Sequence, residues 1–131
     1  MKKKIFLAGV VVFILWSVLG FIMHDLILKS DYASTASLWR PMAEMKMGLM
    51  YVTIFITALA FSAIYGYLVT KKSPMAGLTY GLLYGIAVGM GMGYGTYSVM
   101  PIPYCMALTW FLGTVIEALV GGLLLGAIIK N

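Results

Sequence analysis

Apolar residues run almost unbroken through four stretches of the chain, positions 5–28, 45–69, 76–100 and 104–129. Each can cross a hydrocarbon core of about 30 Å, which takes about 20 helical residues. The connections between them carry the polar and helix-breaking residues. Lys71-Lys72-Ser73-Pro74 reads as a tight turn, and Pro101-Ile102-Pro103 as a short extended one, because prolines two apart cannot continue a helix. Pro41 suits the first turn of a helix, where its missing N–H costs nothing. The pattern predicts one domain, 1–131, with helices over 5–28, 42–69, 76–98 and 104–130. The expected fold is an all-α membrane protein: four transmembrane helices in an antiparallel up-down-up-down bundle, with a glycine-rich third helix. The first connection is the longest, and a short amphipathic helix there would lay Tyr32, Leu38 and Trp39 in the headgroup region.

The third helix carries glycine at every fourth position, Gly77, Gly81, Gly85, Gly89 and Gly93, with Gly91 and Gly95 in addition. In water each interior glycine costs about 1 kcal/mol relative to alanine. In lipid the backbone must still satisfy itself, so the segment stays helical and the bare surface admits a neighbouring helix. Each step of four turns the helix by about 40° beyond one revolution, so the row winds through about 160°. The smooth surface is thus wider than one contact seam and allows one helix at its inner end and another at its outer end. Tyr80, Leu83, Ala87, Met90 and Tyr94 then face lipid or a looser contact. The fourth helix adds Thr114, Ala118, Gly122 and Gly126. Packing within the bundle is the first reading of these rows; homo-oligomerisation and a glycine-lined pore are the alternatives.

Composition agrees with a membrane chain: 63% hydrophobic and only 10% charged residues, at a mean hydropathy of +1.01. The formal net charge of +5 does not point to nucleic acid, because the basic residues sit at helix ends. Lys2, Lys3, Lys4, Lys71, Lys72 and Lys130 fall on one side if all four stretches span, which places both termini in the cytoplasm. The apolar run after Met1-Lys2-Lys3-Lys4 is too long for a signal-peptide core and reads as a retained helix. Cys105, the one cysteine, allows no internal disulfide and no multi-cysteine metal site in one chain.

Glu117 is the only acidic residue deep inside a membrane stretch. A carboxylate there is costly, so it is expected to be neutral, or paired and turned inward. Its candidate partners are Tyr and Thr hydroxyls, a water, or His24. The structural reading is a hydrogen bond to a neighbouring helix; the functional one is a proton or ion role. At the outer boundary stand His24, Asp25, Tyr32, Arg40 and Glu44. The bland reading is an interfacial polar cluster pairing with Lys29 and Arg40. A haem using His24 as one axial ligand, or a metal held by His24, Asp25, Asp31 and Glu44, are the sharper ones. No cofactor is called for by the pattern as a whole. The tyrosines and tryptophans read mostly as interface anchors.

His24, Leu26, Leu28 and Tyr32, then Leu38-Trp39-Arg40-Pro41 with Glu44-Met45, form one run of characteristic residues. Ile64-Tyr65, Gly77-Leu78, Gly81-Leu82-Leu83-Tyr84-Gly85 and Pro101-Ile102-Pro103 continue it. In these the chain resembles a family of small bacterial four-helix membrane proteins without an assigned activity. The resemblance implies a bacterial inner-membrane setting and a four-helix fold. If the Arg-Pro-x-x-Glu segment carries the family's shared role, the working side is external.

No nucleophile–base pair, phosphate loop or CxxC is present, and the glycine run has no strand before it to make a dinucleotide fingerprint. The expectation is a non-enzymatic accessory or assembly component of the inner membrane. Its partners are the lipid bilayer and either further copies of the chain or the subunits of a larger complex. A small oligomeric transporter or channel with Glu117 as its titrating group is the alternative, and a haem- or metal-binding subunit using His24 is the second.

Overall fold

A computed structural model describes residues 1–131. It is all-helical, with four helices long and apolar enough to cross a membrane. The first, α1 (Lys2–Phe21), continues through a wide turn, Ile22–Ile27, whose hydrogen bonds reach back five residues. A short helix α2 (Lys29–Ser34) and two single 3₁₀ turns, Ala36–Leu38 and Met42–Glu44, follow. The second long helix is α3 (Met47–Leu68). The third comprises α4 (Pro74–Met90), a wide turn Gly91–Gly95 and α5 (Thr96–Val99). The fourth is α6 (Tyr104–Ile128).

The second long helix thus starts later than the expected position 42. Pro41 is extended, with ψ of 148°, and leads into the Met42–Glu44 turn instead of the helix itself. By contrast Pro74 occupies the first turn of α4, behind Ser73, whose Oγ accepts from the Ala76 N–H at 3.0 Å. The Tyr65 hydroxyl ties the same connection down. It donates to the Ser73 carbonyl at 3.1 Å and accepts from the Ser73 N–H at 3.2 Å.

Two pairs of helices make the bundle. α4 and α6 approach backbone to backbone. A Cβ at Gly77 would overlap the Gly122 carbonyl, one at Gly81 the Ala118 carbonyl, and one at Gly126 the Ser73 carbonyl. A Cβ at Gly85 would lie 2.8 Å from Val115 Cα, and one at Gly93 would lie 2.5 Å from the Ala107 carbonyl. A Cβ at Gly89 would lie 3.2 Å from the Phe111 carbonyl, so all five glycines of the row, Gly77 to Gly93, meet α6, and the change of partner that the winding of the row allows does not occur. A row of every fourth residue is inclined to its helix axis, so a partner crossing at that inclination follows the whole row. Gly91 has open space beside it and Gly95 nearly so; neither belongs to the seam.

The other pair is α1 and α3. Ser62 Oγ donates to the Ile5 carbonyl at 2.7 Å, Gly66 receives the Ile5 side chain, and a Cβ at Gly9 would lie 3.3 Å from Leu59 Cα. Farther along, Phe13 meets Phe55 edge to face at 5.3 Å. Between the pairs, Ala8, Val12, Phe61, Tyr65, Leu125 and Ile129 form a core with no exposed surface. Tyr80 packs against it, where lipid or a looser contact was expected. Its ring stacks on Phe61 at 4.8 Å and its hydroxyl donates to the Phe61 carbonyl at 2.7 Å. Leu83, in contrast, is exposed.

α3 is peculiar in how little of it the bundle covers. Its buried residues are Ala58, Phe61, Ser62, Tyr65 and Gly66, all in its second half. From Met47 to Thr53 every residue is exposed.

Candidate functional site

The segment after α1 folds back over the far end of the bundle, away from the lysine-rich end. The wide turn makes this possible. The Leu28 N–H donates to the Met23 carbonyl at 2.9 Å, five residues back, which stacks Leu28 over Met23. Both are buried with Ile102, Met106, Ala107 and Trp110. Tyr32, Leu38 and Trp39 pack against this cluster. They are drawn onto protein, where the sequence suggested headgroups, because Ile102 and Met106 offer an apolar floor directly beneath them.

Tyr32 is the hub of this cap. Its oxygen accepts from Trp110 Nε1 at 2.9 Å and lies 2.6 Å from His24 Nδ1. An indole N–H can only donate, so the tyrosine's own proton is free to go to Nδ1, which assigns the His24 proton to Nε2. Burial holds the Tyr32 phenol above its ordinary pKa, against the opposing pull of the Trp110 hydrogen bond; Asp25 pushes the same way as burial. Tyr32 therefore stays a phenol and a donor at neutral pH. Trp39 packs edge-on to Tyr32 at 5.4 Å and to Trp110 at 6.0 Å. Its Nε1 donates to Thr35 Oγ1 at 2.8 Å, and Thr35 in turn donates to the Asp31 carbonyl at 2.7 Å.

The structure thus brings His24 and Tyr32 together and leaves the rest of the outer group apart. Asp25 and Glu44 are exposed, and neither they nor Arg40 take part in the hydrogen bonds of the cap. The pairing with Lys29 and Arg40 does not form. His24, Asp25, Asp31 and Glu44 are not gathered into a metal-ligating cluster. The Asp31 carboxylate meets Cys105 alone, whose Sγ lies 3.6 Å from Oδ1. Arg40 instead lines an open groove of about 600 Å³ with Trp39, Lys46 and the exposed start of α3.

The tryptophans expected at interfaces are structural donors. Trp16 Nε1 donates to the backbone carbonyl of Glu117 at 2.7 Å and packs over Gly121, joining α1 to α6. Trp110 had a sequence signal, its place on the same face of the helix as Gly113 and Glu117. Met23, Ile102 and Met106 had none, since one apolar residue among many does not show which neighbour it will meet.

The Glu117 side chain makes no hydrogen bond; only its backbone oxygen is engaged. None of the expected hydroxyl or histidine partners reaches it. It sits in a groove of about 400 Å³ along the α1–α6 seam, lined by Leu19, Ile22, Met23 and Ile27 on one side and Thr109, Leu112, Gly113 and Ile116 on the other. The groove opens sideways, where Ile22, Ile27, Leu112 and Ile116 are exposed. The chain matches no protein-family model, no characterised protein and no solved structure.

Proposed function

We propose that this chain is a non-enzymatic accessory or assembly component of the bacterial inner membrane, held laterally against further copies of itself or against subunits of a larger complex. The observation that carries this reading is α3. An apolar helix of membrane-spanning length has fully buried residues only in its second half and leaves Met47 to Thr53 uncovered. The surface it leaves is suited to a neighbouring helix. The resemblance to small bacterial four-helix membrane proteins gives the setting.

Several features support the arrangement in the membrane. The contacts of α1 with α3 and of α4 with α6 pair the start of one helix with the end of the other, as an up-down-up-down path requires. The glycine rows of α4 and α6 act as a zipper that fixes one pair, while α3 leaves its first turns free for a neighbour. Lys2, Lys3, Lys4, Lys71, Lys72 and Lys130 belong to the same end of the bundle, which favours cytoplasmic termini.

Purification from native membranes in a mild detergent tests the reading. The chain should leave the column in an assembly of fixed stoichiometry, with itself or with named co-purifying subunits. A single chain without constant partners contradicts it. The second reading, a small oligomeric transporter, is favoured by one observation, the unpaired Glu117 side chain in a laterally open groove. pH-dependent flux in liposomes would support it.

A further inference from the structure

The groove that holds Glu117 has the shape and chemistry of a ligand site. Thr109 and Glu117 stand on one face of α6, eight residues or about 12 Å apart along the helix. Gly113 lies between them and takes the Met23 sulfur, which forms part of the groove's floor. Thr53, Thr57 and Thr79 each spend their hydroxyl on a carbonyl one turn back, whereas the Thr109 hydroxyl makes no such bond. Glu117, near the middle of α6, is likewise unspent. Trp16 fixes its backbone from the α1 side.

The possible complements differ in what they leave unmatched. An anion finds no donor here except one hydroxyl, in a groove that also holds a carboxyl. A hard metal ion wants about six to eight oxygens, and the groove offers two oxygen-bearing side chains among apolar walls. A neutral apolar chain suits Leu19, Ile22 and Ile116 but leaves the carboxyl group bare in hydrocarbon. An organic cation with an apolar body matches both parts. The volume, about 400 Å³, falls within the span of about 300–1,000 Å³ usual for small-molecule pockets. Because the opening is lateral, such a ligand arrives from the bilayer and needs no aqueous pore.

We propose that the α1–α6 groove binds a lipophilic organic cation, with Glu117 as its counter-charge and Thr109 as a second polar contact. This goes beyond the assembly role and does not depend on it. A cation site in each chain is compatible with a monomer or an oligomer.

Tetraphenylphosphonium is a suitable probe, with purified protein in lipid nanodiscs and empty nanodiscs to subtract partitioning. Wild type should bind it saturably at one site per chain. Glu117→Gln, which keeps the shape and removes the charge, should bind at least about tenfold more weakly. Leu112→Trp, which fills the mouth and leaves the carboxyl in place, should also weaken binding. Tetraphenylsilane, neutral and of similar shape, should not compete. Equal binding by wild-type and empty nanodiscs, equal affinity of Glu117→Gln, or full competition by the neutral analogue would each overturn the proposal. If Glu117→Gln does not elute as a folded protein, Leu112→Trp decides, and unchanged affinity there counts against the site.

Discussion

Tyr32 earns its place through two bonds, and its removal separates a structural cap from a decorative one. In Tyr32→Phe the indole N–H of Trp110, only 7% exposed, loses its acceptor, and His24 loses its donor. An unsatisfied buried group costs about 1–3 kcal/mol. The expected result is a lowered melting temperature in detergent, with Trp39→Phe, which loses its bond to Thr35, closer to wild type. The raised phenol pKa has a sign. Stability from the buried neutral form is fully present below the ordinary tyrosine value of about 10, and is lost as pH climbs through the higher folded value. Glu117 is the opposite case. Its side chain has no partner inside the chain, so Glu117→Leu removes no bond and adds an apolar group to an apolar groove. The melting temperature should hold or rise. A fall of several degrees would mean that Glu117 has a structural partner after all.

At the scale of elements, the glycines divide by what stands beside them. A Cβ at Gly81 would run into the Ala118 carbonyl, which is backbone and cannot swing aside, while Gly20 on α1 has nothing within 4 Å. Gly81→Ala should therefore destabilise the protein by about 1–3 kcal/mol, the usual cost of overpacking. Gly20→Ala should be neutral or slightly stabilising. Equal melting of the two variants would remove the seam from this account. The sequence announced the seam plainly, since Gly77 to Gly93 is a four-residue row and Thr114, Ala118, Gly122 and Gly126 answer it. It also made four long helices unmistakable through hydropathy. It did not reveal where α3 begins, because Met42, Ala43, Glu44 and Met45 are all good helix formers and nothing local sets them apart from Met47. Nor did it reveal the wide turn at Ile22–Ile27. Regular helical spacing puts Trp16, Gly20 and His24 on one face, but the turn shifts the register, so Met23 and Leu28 are the residues that face the cluster. The Tyr32–His24–Trp110 hub depends on that shift and on chain return, and so was legible only as three separate polar or aromatic residues.

For the molecule as a whole, the lysines predict how it lies in the membrane. Cys105 is exposed at the far end of the bundle from them and should label from outside intact cells. In a Cys105→Ser background, cysteines at positions 2 and 130 should not. Labelling there would reverse the orientation. The larger question is what covers α3. Its first two turns, Met47 to Thr53, are exposed at every residue, whereas every other long helix buries residues along most of its length. Lateral association is the role this points to, and Leu49, 61% exposed, lies on the uncovered surface. Leu83 on α4 is 63% exposed and serves as the matched control, because it faces away from the α6 seam. The decisive measurement is photo-crosslinking in native membranes from a reactive residue at each of these two positions. An assembly component should give a discrete protein adduct of constant mass from position 49 and only lipid adducts from position 83. Lipid adducts alone from both would contradict the proposed role.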